Sequence, residues 1–324
     1  MTPSGITSDF APGYAVGDGP EEYIALSPGL AVDGAGCQFA RDEVLALDLG
    51  NPLGVRQISP DGQVSHLATV AGVSGLTGIT LDTEGRFGHR LLVVGPTTAG
   101  KTGVFAIDCS GAVQAIGEVA TPLEGGIAVA PPDFGAYGGQ LIAADETGGS
   151  IYAVSPTGRL STVVASGLPA GGDIGVESVG FVPPTGADAA YLADRGTPGN
   201  PHPGTDSVLR LEGAAITGAG VVPGDLLVAT EGGATVVDVS CRPGCTARVA
   251  ATGPADAHAE GRLLILPRPP APPVAPPAVH PRRSTSHKRW GLWVAAGLVV
   301  AVGPVFLAAR LVSRRVADRR RRSG

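Results

Sequence analysis

The chain has 324 residues, of which 43% are hydrophobic and 4% aromatic, and it contains 50 glycines and 29 prolines. The hydrophobic share excludes wholesale disorder, and the excess of turn-forming residues favours many short strands over long helices. Residues 1–267 hold 11 basic against 28 acidic residues, a net charge of −17, which excludes nucleic acid as a partner because phosphate binding needs a basic surface.

Residues 1–22 form an N-terminal segment that precedes the first repeat. They contain no basic stretch followed by an apolar run, so no signal peptide is visible. Two interpretations follow. Either the true start lies upstream and the segment is truncated, or the protein inserts by its tail with its body in the cytoplasm. We favour the upstream start and expect residues 1–22 to be flexible or truncated.

The body of the chain contains a degenerate internal repeat. Residues 139–167 and 224–253 superimpose as an apolar strand, an acidic turn, two glycines, a second strand, a tight turn and a third strand, and further copies begin at Glu43 and Arg90. The turn glycines are spaced by 49, 47 and 86 residues, and 86 is twice 43. A degenerate unit is therefore expected in the gap, with the strands ESVGFV, AAYLAD and SVLRLEG. The turn glycines are Gly62, Gly111, Gly158 and Gly244.

A short apolar strand precedes each repeat unit and completes a set of four strands. These leading strands begin at Gly29, Gly78, Gly125 and Ser178. The strand EGRLLILP, from Glu260, is assigned to a further, incomplete unit. Four short strands in roughly 46 residues are typical of a β-propeller blade. The sequence therefore predicts an all-β, six-bladed propeller over residues 23–266, with an incomplete last blade.

The motif LIAADETGGSIYAVSPTG, within residues 139–167, resembles the NHL repeat. The whole body resembles six-bladed propellers of the NHL and SMP-30/gluconolactonase-like group. The resemblance covers about residues 23–266 and implies the architecture more strongly than the activity, because this fold serves enzymes, receptors and scaffolds alike.

Residues Gly95–Thr102 match the nucleotide-binding pattern GxxxxGK[ST]. A phosphate-binding loop of this kind must lead into a helix, whose N-terminal amides hold the phosphate. The residues that follow, GVFAIDCSG, alternate as a strand and end in a turn. We therefore interpret the motif as the connection between two strands of a blade and expect no nucleotide to bind there.

Acidic residues are expected to collect on one face of the propeller. Because adjacent strands are antiparallel, the starts of the inner strands and the ends of the second strands meet at that face. Glu124, Glu177 and Glu260 lie at inner-strand starts. The acidic residues at second-strand ends are Asp48, Asp145, Glu146, Asp194 and Glu231.

The resemblance to SMP-30-like enzymes gives three of these residues a role. In that group a divalent cation lies over the central channel, held by residues just before the inner-strand glycine, and Glu124 and Glu260 match this position directly, Glu177 approximately. Carboxylates suit a hard cation such as calcium. Pro28 and Thr77 depart from the pattern, and the other interpretation of the second-strand acids is that they form turns.

A hydrolase would also need a base, and His258, two residues before Glu260, is the candidate catalytic residue; a packed histidine is the competing interpretation. No GxSxG element is present.

The leading hypothesis is therefore a non-catalytic propeller at the cell envelope that binds a small molecule or an envelope protein on its acidic face. The competing hypothesis is a calcium-dependent lactonase or esterase.

The four cysteines indicate in which cellular compartment the body of the chain lies. Cys241 and Cys245 flank a tight turn, where a disulfide can close. For Cys37 and Cys109 the sequence leaves two alternatives open, a second disulfide or two free thiols. A CxxxC spacing without further ligands is a poor zinc signature. A disulfide requires an oxidising compartment, which favours a body outside the cell.

The C-terminal residues predict a membrane anchor. Residues 267–289 begin with a proline-rich run and are expected to form an extended stalk. Residues 290–312 include 20 consecutive uncharged residues from Trp290 to Ala309, enough for about 30 Å of helix and a single membrane span. Residues 313–324 form a basic tail that the positive-inside rule places in the cytoplasm, with the propeller outside.

Overall fold

The computed structural model describes residues 9–15 and 21–270. Within them the chain forms 19 β-strands, one short α-helix and one 3₁₀ turn. The strands assemble into five antiparallel sheets, four of them with four strands and one with three. The predicted all-β propeller is confirmed as a fold, with five blades.

The first three sheets are each built from one contiguous stretch of chain, and their strand order follows the sequence. Sheet 1 contains β1 (Ile24–Pro28), β2 (Arg41–Asp48), β3 (Gly54–Ile58) and β4 (Val64–Thr69). Sheet 2 contains β5 (Gly78–Leu81), β6 (Leu91–Pro96), β7 (Thr102–Ile107) and β8 (Val113–Val119). Sheet 3 contains β9 (Glu124–Val129), β10 (Leu141–Asp145), β11 (Ser150–Val154) and β12 (Leu160–Ala165), with the 3₁₀ turn Gly135–Tyr137 between β9 and β10.

The last two sheets exchange chain segments. Sheet 4 has the order β13 (Val176–Phe181), β16 (Leu226–Thr230), β17 (Val236–Ser240) and β18 (Thr246–Ala251). Sheet 5 has the order β15 (Ser207–Glu212), β14 (Ala187–Asp194) and β19 (Ala259–Pro267). The chain therefore leaves sheet 4 after one strand, builds two strands of sheet 5, returns through helix α1 (Gly213–Gly218), and comes back to sheet 5 with β19.

The prediction of six blades is wrong because of this exchange. Tyr191 pairs with Leu264 and Ala190 with Ile265, so β14 and β19 lie side by side in one sheet. The strands AAYLAD and SVLRLEG of the expected degenerate unit thus share sheet 5 with the expected incomplete unit, whereas its strand ESVGFV belongs to sheet 4. The predicted leading strand at Gly29 is also displaced, since the first inner strand is β1, which ends at Pro28.

Apolar side chains fill the spaces between successive sheets. The innermost strands follow one another in contact, β1 against β5, β5 against β9, β9 against β13 and β13 against β19. Strand β6 explains the continuous apolar run in the sequence: Leu91 and Val93 pack toward sheet 1, whereas Leu92 and Val94 pack toward sheet 3. A four-stranded sheet cannot hide its own faces, so stacking of neighbours is what removes them from water.

Sheets 5 and 1 are joined differently from the other neighbours. Ile24 and Leu26 on β1 are 56% and 59% exposed, and Leu264 and Leu266 on β19 are 53% and 39% exposed. Within the described ranges, no apolar cluster bridges these two sheets. They meet instead at one end, where the ring of Tyr23 lies beside Gly261.

Two disulfides connect the four cysteines. Cys37–Cys109 joins the loop after β1 to the turn after β7, with Cα atoms 5.9 Å apart, and thereby ties sheet 1 to sheet 2. Cys241–Cys245 closes the turn between β17 and β18, with Cα atoms 4.0 Å apart. The first bridge spans 72 residues of sequence, so it restricts the unfolded chain more than the second.

The segment that matches a nucleotide-binding loop connects two strands. Residues 97–101 form the turn between β6 and β7, and no helix follows Lys101. Pro96 pairs with Thr102 and Gly95 with Gly103 across this hairpin. The helix N-terminus that a phosphate would require is therefore missing from this part of the described chain.

The prediction of a single-span membrane protein has to be corrected. Residues 9–15 and 21–270 contain no helix with the length and apolar character needed to cross a bilayer. The predicted stalk beyond residue 270, the predicted span 290–312 and the predicted tail 313–324 lie outside the described residues. The membrane partner and the single-pass placement at the cell membrane are therefore withdrawn.

Candidate functional site: an axial carboxylate cluster

Six glutamates gather where the inner strands of sheets 3, 4 and 5 begin, and we call them the axial carboxylate cluster. Three lie at or near strand starts, on β9, β13 and β19, and two directly follow the ends of β10 and β16. The sixth precedes β1. In that order the residues are Glu124, Glu177, Glu260, Glu146, Glu231 and Glu21.

Glycines directly after two of the glutamates allow this crowding. Gly125 has φ +73°, and a Cβ atom there would lie 2.4 Å from Cγ of Glu177. Gly261 follows Glu260 with φ +76°, and its bare face lies against the Tyr23 ring. Both glycines adopt a left-handed backbone, and Gly125 also allows a close approach, which explains the Glu-Gly pairs in the sequence.

Tyr23 is the centre of one half of the cluster. Its hydroxyl oxygen lies 2.5 Å from Oε1 of Glu177, 2.6 Å from Oε2 of Glu21 and 3.4 Å from Oε2 of Glu260. A phenol has one proton, so it can donate to only one of these carboxylates at a time. Burial and the three neighbouring glutamates raise the pKa of Tyr23, which keeps the phenol protonated. The three carboxylates therefore need a further proton or a cation between them.

His258 is the centre of the other half. Its Nε2 atom lies 2.9 Å from Oε1 of Glu231 and 3.0 Å from Oε1 of Glu260. The residue is only 1% exposed, and its backbone N–H donates to Oδ1 of Asp194 at 2.9 Å. The Nδ1 atom has no partner among the described residues. His258 thus links Glu231 to Glu260 within the cluster.

Arg195 is the cation at the edge of the cluster. It directly follows β14, and its backbone N–H donates to the carbonyl oxygen of His258 at 2.8 Å. Its guanidinium donates to Oε1 of Glu260 at 3.0 Å and to Oε1 of Glu21 at 3.2 Å. The side chains of Arg195 and Glu21 are 37% and 32% exposed. These two side chains therefore form the solvent-facing mouth of the cluster.

Burial and mutual repulsion make the glutamates weaker acids than usual. The pKa of Glu124 rises to about 7 because of burial and of its interaction with Glu146. The pKa of Glu231 rises to about 11 because of burial and of the same neighbour. Burial followed by repulsion from neighbouring glutamates also raises the pKa of Glu177 and Glu260, although Arg195 and His258 partly oppose this for Glu260. The cluster thus has more negative charge than its own cations can balance.

The donor atoms can hold a metal ion in two overlapping sets. One oxygen each from Glu21, Glu177 and Glu260 lies within 4.8 Å of the others, and so do the donor atoms of Glu231, His258 and Glu260. The buried Oε2 of Glu177 has no hydrogen-bond partner among the described residues. The first set contains only oxygen and suits a hard cation; the second includes imidazole and suits transition metals better.

The structure brings Glu177 and Glu260 together, and it places Glu124 beside Glu146 rather than in either donor set. Asp48 and Asp145 accept hydrogen bonds from nearby turn amides, of Gly50 and Gly148, and therefore act as turn formers. Asp194 fixes the backbone of His258.

Sequence reasoning missed Glu21, Tyr23 and Arg195. Glu21 and Tyr23 lie ahead of the first strand, outside every repeat unit. The acidic-aromatic triplet EEY, residues 21–23, was the available signal for them. Arg195 follows Asp194 at the end of a strand that the repeat had marked.

Comparisons with known proteins show no family for this chain. No family model matches the sequence, and no curated protein matches it. A Bacteroides caccae protein of unknown function is 15% identical, with a TM-score of 0.39, over 72% of this chain and 60% of that one. A Xanthomonas campestris gluconolactonase is 14% identical, with a TM-score of 0.32, over 47% of this chain and 54% of that one. Virginiamycin B lyase from Staphylococcus aureus is 9% identical, with a TM-score of 0.28, over 70% and 83%.

The chain thus covers less than two thirds of the first two of these structures. At such identities and scores the similarity carries no argument about activity, and the function has to be inferred from the cluster itself.

Proposed function

We propose that the axial carboxylate cluster binds a divalent cation, and that the propeller uses the loaded face to bind a small ligand. One observation carries the proposal: the oxygens of Glu21, Glu177 and Glu260 converge around a single phenol proton. Like charges this close repel strongly unless protons or a metal ion lie between them. A divalent cation supplies the missing charge at that point.

Calcium is the cation that we propose for the set of Glu21, Glu177 and Glu260. All three offer carboxylate oxygens, which are the preferred calcium ligands. His258 already contacts Glu231 and Glu260 through Nε2, so its imidazole stabilises the neighbouring carboxylates without having to bind the metal. The partly exposed Arg195 would lie beside the cation and attract a ligand with an anionic or hydroxyl oxygen.

The test is a calcium titration of the metal-free full chain, followed by calorimetry and by the melting temperature. We expect calcium to raise the stability, by about 2.7 kcal/mol at a hundredfold excess over Kd. Glu177→Gln should abolish this response while leaving the metal-free stability equal or higher, because it removes one of the repelling charges. The matched control is Glu118→Gln, on an exposed side chain paired with Lys101 at 3.6 Å, which should keep the full response.

The proposal fails if calcium, magnesium and manganese all leave the melting temperature and the calorimetric signal unchanged. A response that Glu231→Gln removes and Glu177→Gln preserves would place the metal in the histidine-containing set instead. That outcome would contradict the calcium assignment while keeping the cluster as a metal site.

A metal-dependent lactonase or esterase is the second candidate function. The observation that favours it is the pairing of His258 with Glu231 and Glu260, because a histidine beside carboxylates can transfer protons. Its 1% exposure argues against direct contact with a substrate. Hydrolysis of simple lactones and of p-nitrophenyl acetate, measured with calcium or manganese, tests this. A rate that His258→Gln abolishes supports the enzyme, and rates equal to buffer exclude it for these substrates.

A further inference from the structure

A cavity of about 530 Å³ lies at the opposite ends of the inner strands from the axial carboxylate cluster. Strand β9 shows the separation: it begins at Glu124, in the cluster, and ends at Val129, in the cavity wall. The ends of β5 and β13 contribute Leu81 and Phe181. The wall thus combines apolar side chains with convergent polar groups, as small-molecule sites do.

Arg262 is the basic side chain in this wall. It lies on β19, where Gly126 lets β9 approach so closely that a Cβ atom there would lie 2.7 Å from Cα of Arg262. Its side chain lines the cavity, and the residue is exposed. It has no hydrogen bond or ion pair with any described residue. A cation in such surroundings is stabilised when an anion pairs with it.

Thr80 is a second polar group in the same wall that lacks a partner. The residue is 1% exposed, and its hydroxyl oxygen has no hydrogen-bond partner among the described residues. Buried hydroxyls are nearly always satisfied in folded proteins. An unpaired hydroxyl and an unpaired guanidinium in one cavity both point to a ligand that accepts hydrogen bonds.

Two acidic residues, Glu84 and Asp133, also line the cavity. Asp133 is 3.8 Å from Arg242 and is largely exposed. Burial raises the pKa of Glu84, and Asp82 and Asp133 add to this effect. Because Asp133 lies beside Arg242, which is not part of the wall, Glu84 and Arg262 remain as one acid and one base facing the cavity, which favours a neutral ligand with separated charges over a polyanion.

We propose that this cavity binds a small amino acid with an apolar side chain. Its carboxylate pairs with Arg262 and accepts a hydrogen bond from Thr80, its ammonium group lies toward Glu84, and its apolar side chain packs against Leu81 and Phe181. Arginine suits this role because its planar group binds a carboxylate through two parallel hydrogen bonds. This site is separate from the axial carboxylate cluster and does not depend on the function proposed for it.

The experiment is isothermal titration calorimetry of the full chain with leucine and two truncated analogues. The first analogue, 4-methylpentanoate, lacks the ammonium group, and the second, 3-methylbutylamine, lacks the carboxylate. We expect leucine to bind most tightly, 4-methylpentanoate more weakly and 3-methylbutylamine not at all. Arg262→Gln should weaken leucine binding about tenfold or more, because it removes a charge-assisted contact.

Thr80→Val provides a second variant in case Arg262→Gln does not fold. It removes an unpaired buried hydroxyl and keeps the shape, so it should leave the stability unchanged or higher and weaken leucine binding about threefold. Glu118→Gln, on an exposed side chain outside both sites, is the matched control and should leave leucine binding unchanged.

The proposal is overturned if leucine does not bind at millimolar concentration, or if Thr80→Val and a folded Arg262→Gln both bind it as well as the unaltered chain does. It is also overturned if 3-methylbutylamine binds as tightly as leucine, because the acids and not Arg262 would then determine the site.

Discussion

The first three sheets and the last two are built by different routes, although all five stack around the same inner strands. Sheets 1 to 3 each complete their strands before the chain moves on, whereas sheets 4 and 5 exchange β13, β14 and β15 before either is complete. Sheets 4 and 5 therefore have to form together. They also provide Glu177, Glu231 and Glu260, so the axial carboxylate cluster depends on the half of the molecule whose folding is least local.

The strongest test of this comparison removes one buried leucine from each half. Leu263 on β19 and Leu91 on β6 are 1% and 0% exposed. We expect Leu263→Ala and Leu91→Ala each to reduce the free energy of unfolding by about 2–5 kcal/mol, as lost apolar burial and a residual cavity predict. Only Leu263→Ala should also weaken the calcium response, because Leu263 lies three residues after Glu260. Denaturant unfolding with and without calcium measures both effects.

Equal calcium responses in the two leucine variants would show that the cluster does not depend on how β19 packs. A calcium response that is weaker only in Leu91→Ala would mean that the cluster depends on the packing of sheet 2 and not on that of sheet 5. Because both substitutions remove the same side chain from a buried strand, the contrast depends on position and not on chemistry.

A smaller effect is expected from adding one methyl group at a glycine in each half. A Cβ atom on Gly180 would lie 2.4 Å from the carbonyl oxygen of Leu263, which is rigid backbone, whereas on Gly78 it would lie 2.9 Å from the Val94 methyl and 3.1 Å from the carbonyl oxygen of Gly125. Gly180→Ala should therefore cost about 1–3 kcal/mol of unfolding free energy, and Gly78→Ala clearly less, since Val94 can adjust. Thermal unfolding of the two variants measures the difference, and equal losses would mean that β13 and β19 separate easily.

The contrast between sheets built from one stretch of chain and sheets that exchange strands also explains which parts of the fold the sequence could predict. Gly62, Gly111, Gly158 and Gly244 all adopt positive φ in hairpin turns, so a local conformational requirement marked those turns in the sequence. The strands AAYLAD and EGRLLILP carried an equally clear β pattern, yet nothing in that pattern states which neighbour each strand pairs with. The pairing of β14 with β19, which joins Tyr191 to Leu264, is decided by how the sheets close, and this is why the number of blades was predicted as six.

For the site too, the sequence could predict only the residues whose positions follow from strand direction. Glu124, Glu177 and Glu260 could be placed on one face because strand direction alone brings their positions together. Tyr23 and Arg195 could not, since they reach the cluster through tertiary contacts between sheets 1 and 5.

The pH dependence of stability should show the uncompensated charge of the cluster. Its glutamates have raised pKa values, to about 7 for Glu124 and about 11 for Glu231. The folded state therefore binds more protons than the unfolded state above pH about 4.5. The metal-free protein should lose stability as the pH rises from about 4.5 to 7, with a fall in melting temperature of several degrees. Saturating calcium should flatten this slope, and a rising melting temperature over that range without metal would contradict the charge imbalance.

The smallest effect is expected at Asp108, in the turn after β7, where the sign is opposite. Burial alone would raise the pKa of Asp108, but the Ser110 side chain and the backbone N–H groups of Ala112 and Ser110 donate to its carboxylate and lower the pKa overall. Its contribution is therefore present above pH about 3.8 and is lost as the pH falls through the lowered value. Asp108→Asn should reduce the melting temperature slightly at pH 7 and leave it unchanged at pH 2, whereas Glu177→Gln should raise it at pH 7 without metal. If both variants shift the melting temperature in the same direction at pH 7, the result contradicts the opposite pKa shifts of Asp108 and the cluster glutamates.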